Sequence, residues 1–183
     1  MTLIKKEEPS NKKKWLRELW SWSLSLGAAV IISITFQTYV YAQTEVHNVS
    51  MQNTLVAGQR LIEDRWSYRF HQPEYGDIVI INGPESELRL VKRVIALPGD
   101  TLDIREGYVY VNGQRVEESY VKGVTYKGSI ELPIQLDEGQ LFVMGDNREN
   151  SEDSRQMGPI ALSSIEGKAV YRIWPIAVFG GLE

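Results

Sequence analysis

Leu88-Arg89-Leu90-Val91-Lys92-Arg93-Val94-Ile95-Ala96 is rich enough in branched apolar residues to form a strand. Side chains alternate with a period of two, so Leu88, Leu90, Lys92 and Val94 share one face. Arg89, Val91, Arg93 and Ile95 take the other. Lys92 therefore stands among aliphatic neighbours while both arginines point away from it. Burial disfavours the ammonium form and lowers a lysine's pKa, and an amine neutral near pH 7 can act as a general base. The same pattern fits a strand-edge lysine whose amine reaches water, and on this segment alone that is the more ordinary reading.

Outward from this strand the chain continues in short β-like runs. Arg60–Glu63 and Asp77–Ile81 come first; Asn82-Gly83-Pro84 then turns the chain, so that Leu88–Ile95 returns as the antiparallel partner of Asp77–Ile81. Pro98-Gly99-Asp100 makes another turn. Thr101–Ile104, Tyr108–Val111 and Gln114–Val116 are separated by Glu106-Gly107 and by Asn112-Gly113, the second a strong two-residue hairpin signal. Leu141–Met144 and Ala169–Trp174 add two strands. Only Leu162–Glu166 and Ser50–Ala57 read as short helical turns, so the class is mainly β.

Upstream lies a different pattern. Trp20 to Ala42 contains no charged residue and is apolar through most of its length, and about 20 such residues cross a bilayer core. Trp20, Trp22, Tyr39 and Tyr41 sit near the two ends, as interfacial aromatics do. Six basic residues (Lys5, Lys6, Lys12, Lys13, Lys14, Arg17) precede it against three acidic ones (Glu7, Glu8, Glu18). The positive-inside rule then makes 1–19 a cytoplasmic arm, 20–42 a transmembrane anchor and 43–183 an extracytoplasmic domain. Val40-Tyr41-Ala42 also suits a signal cleavage site, but the apolar stretch exceeds the 7–15 residues of a signal core, which favours a retained anchor.

A net charge of −4 gives no reason to expect a nucleic-acid partner, and the basic cluster of the arm suits lipid headgroups. With no cysteine, disulfides and thiol chemistry are excluded. His47 and His71 make a Ser-His-Asp triad formally possible, yet neither lies in a triad-like pattern, and two histidines make a weak zinc site. In Asp146-Asn147-Arg148-Glu149-Asn150-Ser151-Glu152-Asp153 an arginine at the third position and Ser151 at the sixth exclude an EF-hand. No metal or cofactor is expected.

Four segments, in order, resemble the type I bacterial signal peptidases. These are Ser50-Met51-Gln52-Asn53-Thr54-Leu55 just after an anchor, Tyr75-Gly76-Asp77-Ile78-Val79, Lys92-Arg93-Val94-Ile95-Ala96-Leu97-Pro98-Gly99-Asp100, and Gly145 through Arg155. Each alone is weak; the ordered set is specific, and the short span from Lys92 to Gly145 is similar to the compact Gram-positive type. The resemblance implies a Ser–Lys dyad, with Ser50 as nucleophile and Lys92 as general base. It implies that the Ser151 hydroxyl orients the lysine amine and that Asp153 and Arg155 form a buried ion pair, with Arg93 joining it from the back of the lysine strand. Met51 matches an apolar residue beside the nucleophile, and Gly145 a position where a side chain would crowd the lysine. The fold implied is the mostly β architecture shared with the self-cleaving repressor proteases, behind a single N-terminal transmembrane helix.

Three positions depart from the family pattern. Asn53 replaces the usual proline, Ala96 a common glycine, and Asn48 a serine or glycine near the oxyanion hole, where its amide could donate. No reacting group is lost. The expected activity is removal of signal peptides from exported preproteins after Ala-x-Ala-like sites, through an acyl-enzyme, beside lipid and near the secretion translocase. Two other functions share parts of this pattern. A self-cleaving repressor would carry a DNA-binding domain rather than an anchor. A non-catalytic, membrane-anchored β domain could serve as an assembly partner in secretion or pilus biogenesis, and the intact dyad argues against it.

Overall fold

The computed structural model describes residues 11–83 and 89–182. Residues 1–10 of the basic arm, Pro84 of the expected turn and Leu88 of the lysine strand lie outside the described residues. The chain divides into two compact units, 1–39 and 40–183.

The first unit is helix α1, Asn11–Tyr39. Within it Lys14–Gln37 is a 24-residue span whose most apolar 18-residue window has a mean hydropathy of 1.6. Such a length at about 1.5 Å per residue exceeds a hydrocarbon core of roughly 30 Å. Trp20, Leu24, Ile31 and Phe36 are all exposed, so the segment has the length and composition to cross a membrane. The helix stops at Tyr39. Tyr41 and Ala42, expected in the anchor, belong to a strand instead.

The second unit holds twelve strands among the described residues. They are β1 (Tyr41–Glu45), β2 (Arg60–Asp64), β3 (Ile78–Asn82), β4 (Arg89–Ala96), β5 (Thr101–Arg105), β6 (Tyr108–Val111), β7 (Gln114–Arg115), β8 (Ile134–Gln135), β9 (Gln140–Met144), β10 (Ile160–Ala161), β11 (Ile165–Trp174) and β12 (Gly180–Gly181). The larger sheet runs β1-β2-β11-β3-β4-β9-β10 with β12 beside β11; the smaller runs β7-β6-β5-β8. Glu106-Gly107 and Asn112-Gly113 have φ of 51° and 81°, and 52° and 79°. Both central residues are thus left-handed, the backbone that two-residue hairpins need. The expected antiparallel pairing of β3 with β4 is formed, with Val79 opposite Lys92.

Two expected helical turns change form. Residues 50–57 are irregular turns held by bonds such as Leu55 N to Met51 O at 2.7 Å. Of Leu162–Glu166, the first three residues form a 3-10 turn, and Ile165 and Glu166 open β11.

Strand β4 divides the core. Leu90 and Val94 pack with Val79, Ile81 and Val143, while Val91 packs with Met51, Leu55, Ile78 and Ile80. That is the alternation read from the sequence. It breaks at the pairing irregularity between Val94 and Ala96, after which Ile95 and Ala96 both join a cluster with Leu102 and Phe142. β9 pairs with β4 only from Arg93 onward. Among the described residues, Arg89–Lys92 therefore carry no ladder on that side, leaving half of β4 as an open edge.

Candidate active site

Lys92 is 2% exposed and Ser50 8%, and Lys92 Nζ donates to Ser50 Oγ at 2.9 Å. β4 aims the amine, and the turn after β1 brings the hydroxyl to it. Burial pushes the Lys92 amine down to about 8, against the pull of Asp153, Glu152 and Asp146. The water-reaching alternative does not apply: this lysine is enclosed, and its amine faces a serine.

Asn147 fixes the nucleophile's backbone. Its N–H donates to Ser50 O at 2.9 Å and its Nδ2 to Val49 O at 3.1 Å. Gly145, two residues earlier, approaches the same carbonyl so closely that a side chain has no room. Asp153 accepts from Gly145 N at 3.0 Å and from Arg155 Nε and Nη2, both at 2.9 Å. Burial works against the Asp153 charge, yet the two-pronged Arg155 contact outweighs it and holds the carboxyl below its ordinary range. Asp153 also caps the four-residue helix α2, Ser154–Met157, in a capping box with Gln156.

Two expectations from the resemblance are corrected. Arg93 does not brace Asp153–Arg155; its Nε and Nη2 bond the two oxygens of Asp146, each at 2.9 Å. Its Nη1 donates to Gly76 O at 2.8 Å and its guanidinium stacks 4.0 Å from the Tyr120 ring centre. The reason is alternation: Arg93 leaves β4 on the side opposite Lys92, where Asp146 is the carboxylate in reach. Ser151 Oγ makes no hydrogen bond to Lys92. It is buried with no hydrogen-bonding partner, packed over Gly145 and near enough to Asp153 only to help hold its charge.

Met51 is buried in the core cluster beneath the nucleophile. Asn48, His47, Met51 and Ser50 line a cavity of about 300 Å³ with Thr44, Val46, Arg89 and Val91. His71 instead faces the Ser67 carbonyl through Nδ1 at 3.3 Å. Among the described residues no cluster of His, Asp or Glu could hold a metal ion.

The sequence reading assigned no role to Asp146, Asn147, Arg148 or Glu118. Arg148 donates to Gly145 O at 3.1 Å, to Thr125 Oγ1 at 2.8 Å and to Glu118 Oε1 at 2.5 Å. Thr54 Oγ1 bonds Asp146 Oδ2 at 2.5 Å. A polar run with acid and base two apart, directly after an apolar strand, was the available signal for Asp146 and Arg148. Nothing local marked Glu118.

A family model described as "Signal peptidase, peptidase S26" matches residues 19–174. A probable signal peptidase I-1 of Synechocystis is 36% identical over 86% of this chain and 83% of its own. A signal peptidase I of Bacillus licheniformis is 34% identical over 92% of this chain and 95% of its own. The crystal structure of a signal peptidase I from Enterococcus faecalis covers 54% of this chain and 97% of its own, at 32% identity and a TM-score of 0.47. With the family match running from α1 into β11 and the Synechocystis and Bacillus licheniformis sequences aligned over most of their length, the chain belongs to the signal peptidases, peptidase family S26.

Proposed function

We propose that this chain is a membrane-anchored serine endopeptidase that removes signal peptides from exported preproteins after Ala-x-Ala-like sites. The observation that carries the reading is the 2.9 Å bond between a buried Lys92 amine and Ser50. Substrate pairs with the open edge of β4 beside Arg89–Val91, main chain to main chain, as an added strand. Because β9 occupies the edge from Arg93 onward, the acyl side of the substrate extends from Ser50 toward Arg89.

Neutral Lys92 takes the Ser50 proton as Oγ attacks the scissile carbonyl. The oxyanion is held by the Ser50 N–H and by a second donor, a role we assign to the amide of Asn48, which lines the same cavity. Lys92, now an ammonium, gives the proton to the leaving amine. It then activates the water that hydrolyses the acyl-enzyme. Ser151 Oγ, unpartnered in the resting site, is the acceptor we assign to that ammonium.

α1 supplies the anchor, with the N-terminus in the cytoplasm and the β unit outside. Ala42 pairs with Glu63 in β1, so cleavage after Ala42 would sever the edge strand of the catalytic unit; this supports a retained anchor. The substrate is a signal-peptide-bearing preprotein, met at the bilayer beside the translocase. A non-catalytic assembly role gains nothing from a lysine buried against a serine.

Cleavage of a preprotein by the purified full chain, with Ser50→Ala and Lys92→Ala alongside, tests the reading. Both variants lose turnover while folding normally, and the double variant is hardly worse than either. Normal activity in Lys92→Ala would refute the base. A reporter fused after Glu183 is active only outside the cytoplasm if the orientation holds.

A further inference from the structure

We propose that Arg89, locked by Glu63 and Thr44, is the specificity-determining residue for the substrate side chain third before the cut. The inference rests on the proposed strand addition at β4. The residues lining the cavity pair off along the two strands: Val91 packs with Val46 and Met51, the residue after Ser50, while Arg89 bonds Thr44, two residues further back on each strand. Arg89 lies two residues before Val91 on the same face of β4, as Thr44 of β1 lies two residues before Val46, just past that strand. One step of two residues advances an extended chain by about 6.7 Å, so a substrate strand places one same-face side chain per step. The side chain next to the cut meets Met51 and Val91; the one two residues earlier meets Thr44 and Arg89.

That far wall is polar and built. Glu63 is 0% exposed and accepts from Arg89 Nη2, from Thr44 Oγ1 at 2.8 Å and from Arg65 Nε at 3.0 Å. Arg89 Nε bonds Glu166, and its Nη1 donates to Thr44 Oγ1 at 3.2 Å. Gly167 makes the room, since a side chain there would collide with Glu63. The subsite is thus closed by a compensated ion cluster rather than by aliphatic groups alone. A small neutral side chain leaves the cluster undisturbed. A lysine brings a second cation against Arg89, and an aspartate meets the carboxylates of Glu63 and Glu166.

The two charges are separable by mutation, in opposite directions. Full-length protein in detergent is given peptides identical except for Ala, Lys or Asp third before the cut. Wild type prefers Ala. Arg89→Gln, which bares the carboxylates, raises kcat/KM for the Lys peptide relative to Ala by about tenfold or more; Glu63→Gln does the same for the Asp peptide. Preference at the residue next to the cut stays as in wild type. Either variant that retains a cooperative melt suffices. A folded variant whose Lys:Ala or Asp:Ala ratio stays within about twofold of wild type overturns the inference. Cleavage that persists in Ser50→Ala would instead overturn the dyad beneath it, which keeps the two failures distinct.

Discussion

Gly145 and Ser151 meet so closely that a β-carbon on Gly145 would lie 2.2 Å from Ser151 Oγ. The same atom would lie 2.5 Å from the Ser50 carbonyl oxygen. One contact is with a side chain that can move; the other is with the backbone of the nucleophile, which Asn147 holds in place. Glycine is required here for space, not for an unusual backbone angle.

Gly145→Ala therefore displaces Ser50 from Lys92 and lowers kcat/KM by about tenfold or more, since a shift of roughly 1 Å in a reacting group is enough. Adding Ser151→Gly relieves only the smaller obstacle, so the double variant stays impaired. Kinetics of the two variants, read with their melting curves, check this. Full recovery in the double variant would place the clash at Ser151 alone.

Activity follows the Lys92 proton. With its pKa pushed down to about 8, kcat/KM rises with pH through about 8 as the amine becomes neutral. The sign for stability is the same. Between about 8 and the unfolded value of 10.5 the unfolded chain binds more protons, so stability climbs with pH in that window.

Replacing the lysine isolates that contribution. Lys92→Met keeps the volume and removes the protonation penalty, so at pH 7 the variant is inactive yet more stable, by up to roughly 3 kcal/mol. Denaturant titrations at pH 7 and pH 10 measure it, and the gain shrinks at the higher pH.

Asp146 is buried and held by both prongs of Arg93. Arg93→Ala strands that carboxylate and costs about 3–5 kcal/mol. Arg93→Lys recovers little, because a single ammonium replaces neither the paired contact nor the stack on Tyr120. Chemical unfolding of both variants tests this.

Asp153 and Ser151, two residues apart, separate stability from catalysis. Asp153→Ala leaves Arg155 buried without its counter-ion and removes the α2 cap, lowering the melting temperature together with activity. Ser151→Ala removes only a minor support of the Asp153 charge, so stability changes little, while turnover falls through the loss of an acceptor for the Lys92 ammonium. Loss of stability in Ser151→Ala with Asp153→Ala unaffected would reverse these assignments.

The strands were legible where period-two patterning or left-handed turn residues were strong, as in β4 and the hairpins through Gly107 and Gly113. β8, β10 and β12 were not, because two-residue strands have no period to read; they exist only through their partners. Lys92 stood out because a cation among aliphatic neighbours breaks a local pattern. Its meaning came from Ser50, 42 residues away in sequence. Arg93 was assigned to the wrong carboxylate for a related reason. Alternation gave its direction, but which of two acids in the same polar run lay on that side depended on the path of the chain after Gly145. Glu118 and Glu63 were silent, since a partner in a long-range ion pair leaves no trace in its own neighbourhood.

The unladdered half of β4 has a consequence for solution behaviour. A bare strand edge that welcomes a preprotein also welcomes a neighbouring copy of the enzyme, the usual first contact in β-aggregation. Of β4 only Arg89–Lys92 are bare on that side among the described residues, too short a template for a lasting intermolecular sheet, and the Arg89 ion cluster stands on that stretch. Removing the whole charge cluster there, as in Arg89→Gln combined with Glu63→Gln and Glu166→Gln, should make concentrated detergent solutions of the protein turbid sooner than wild type, independently of any change in what it cleaves.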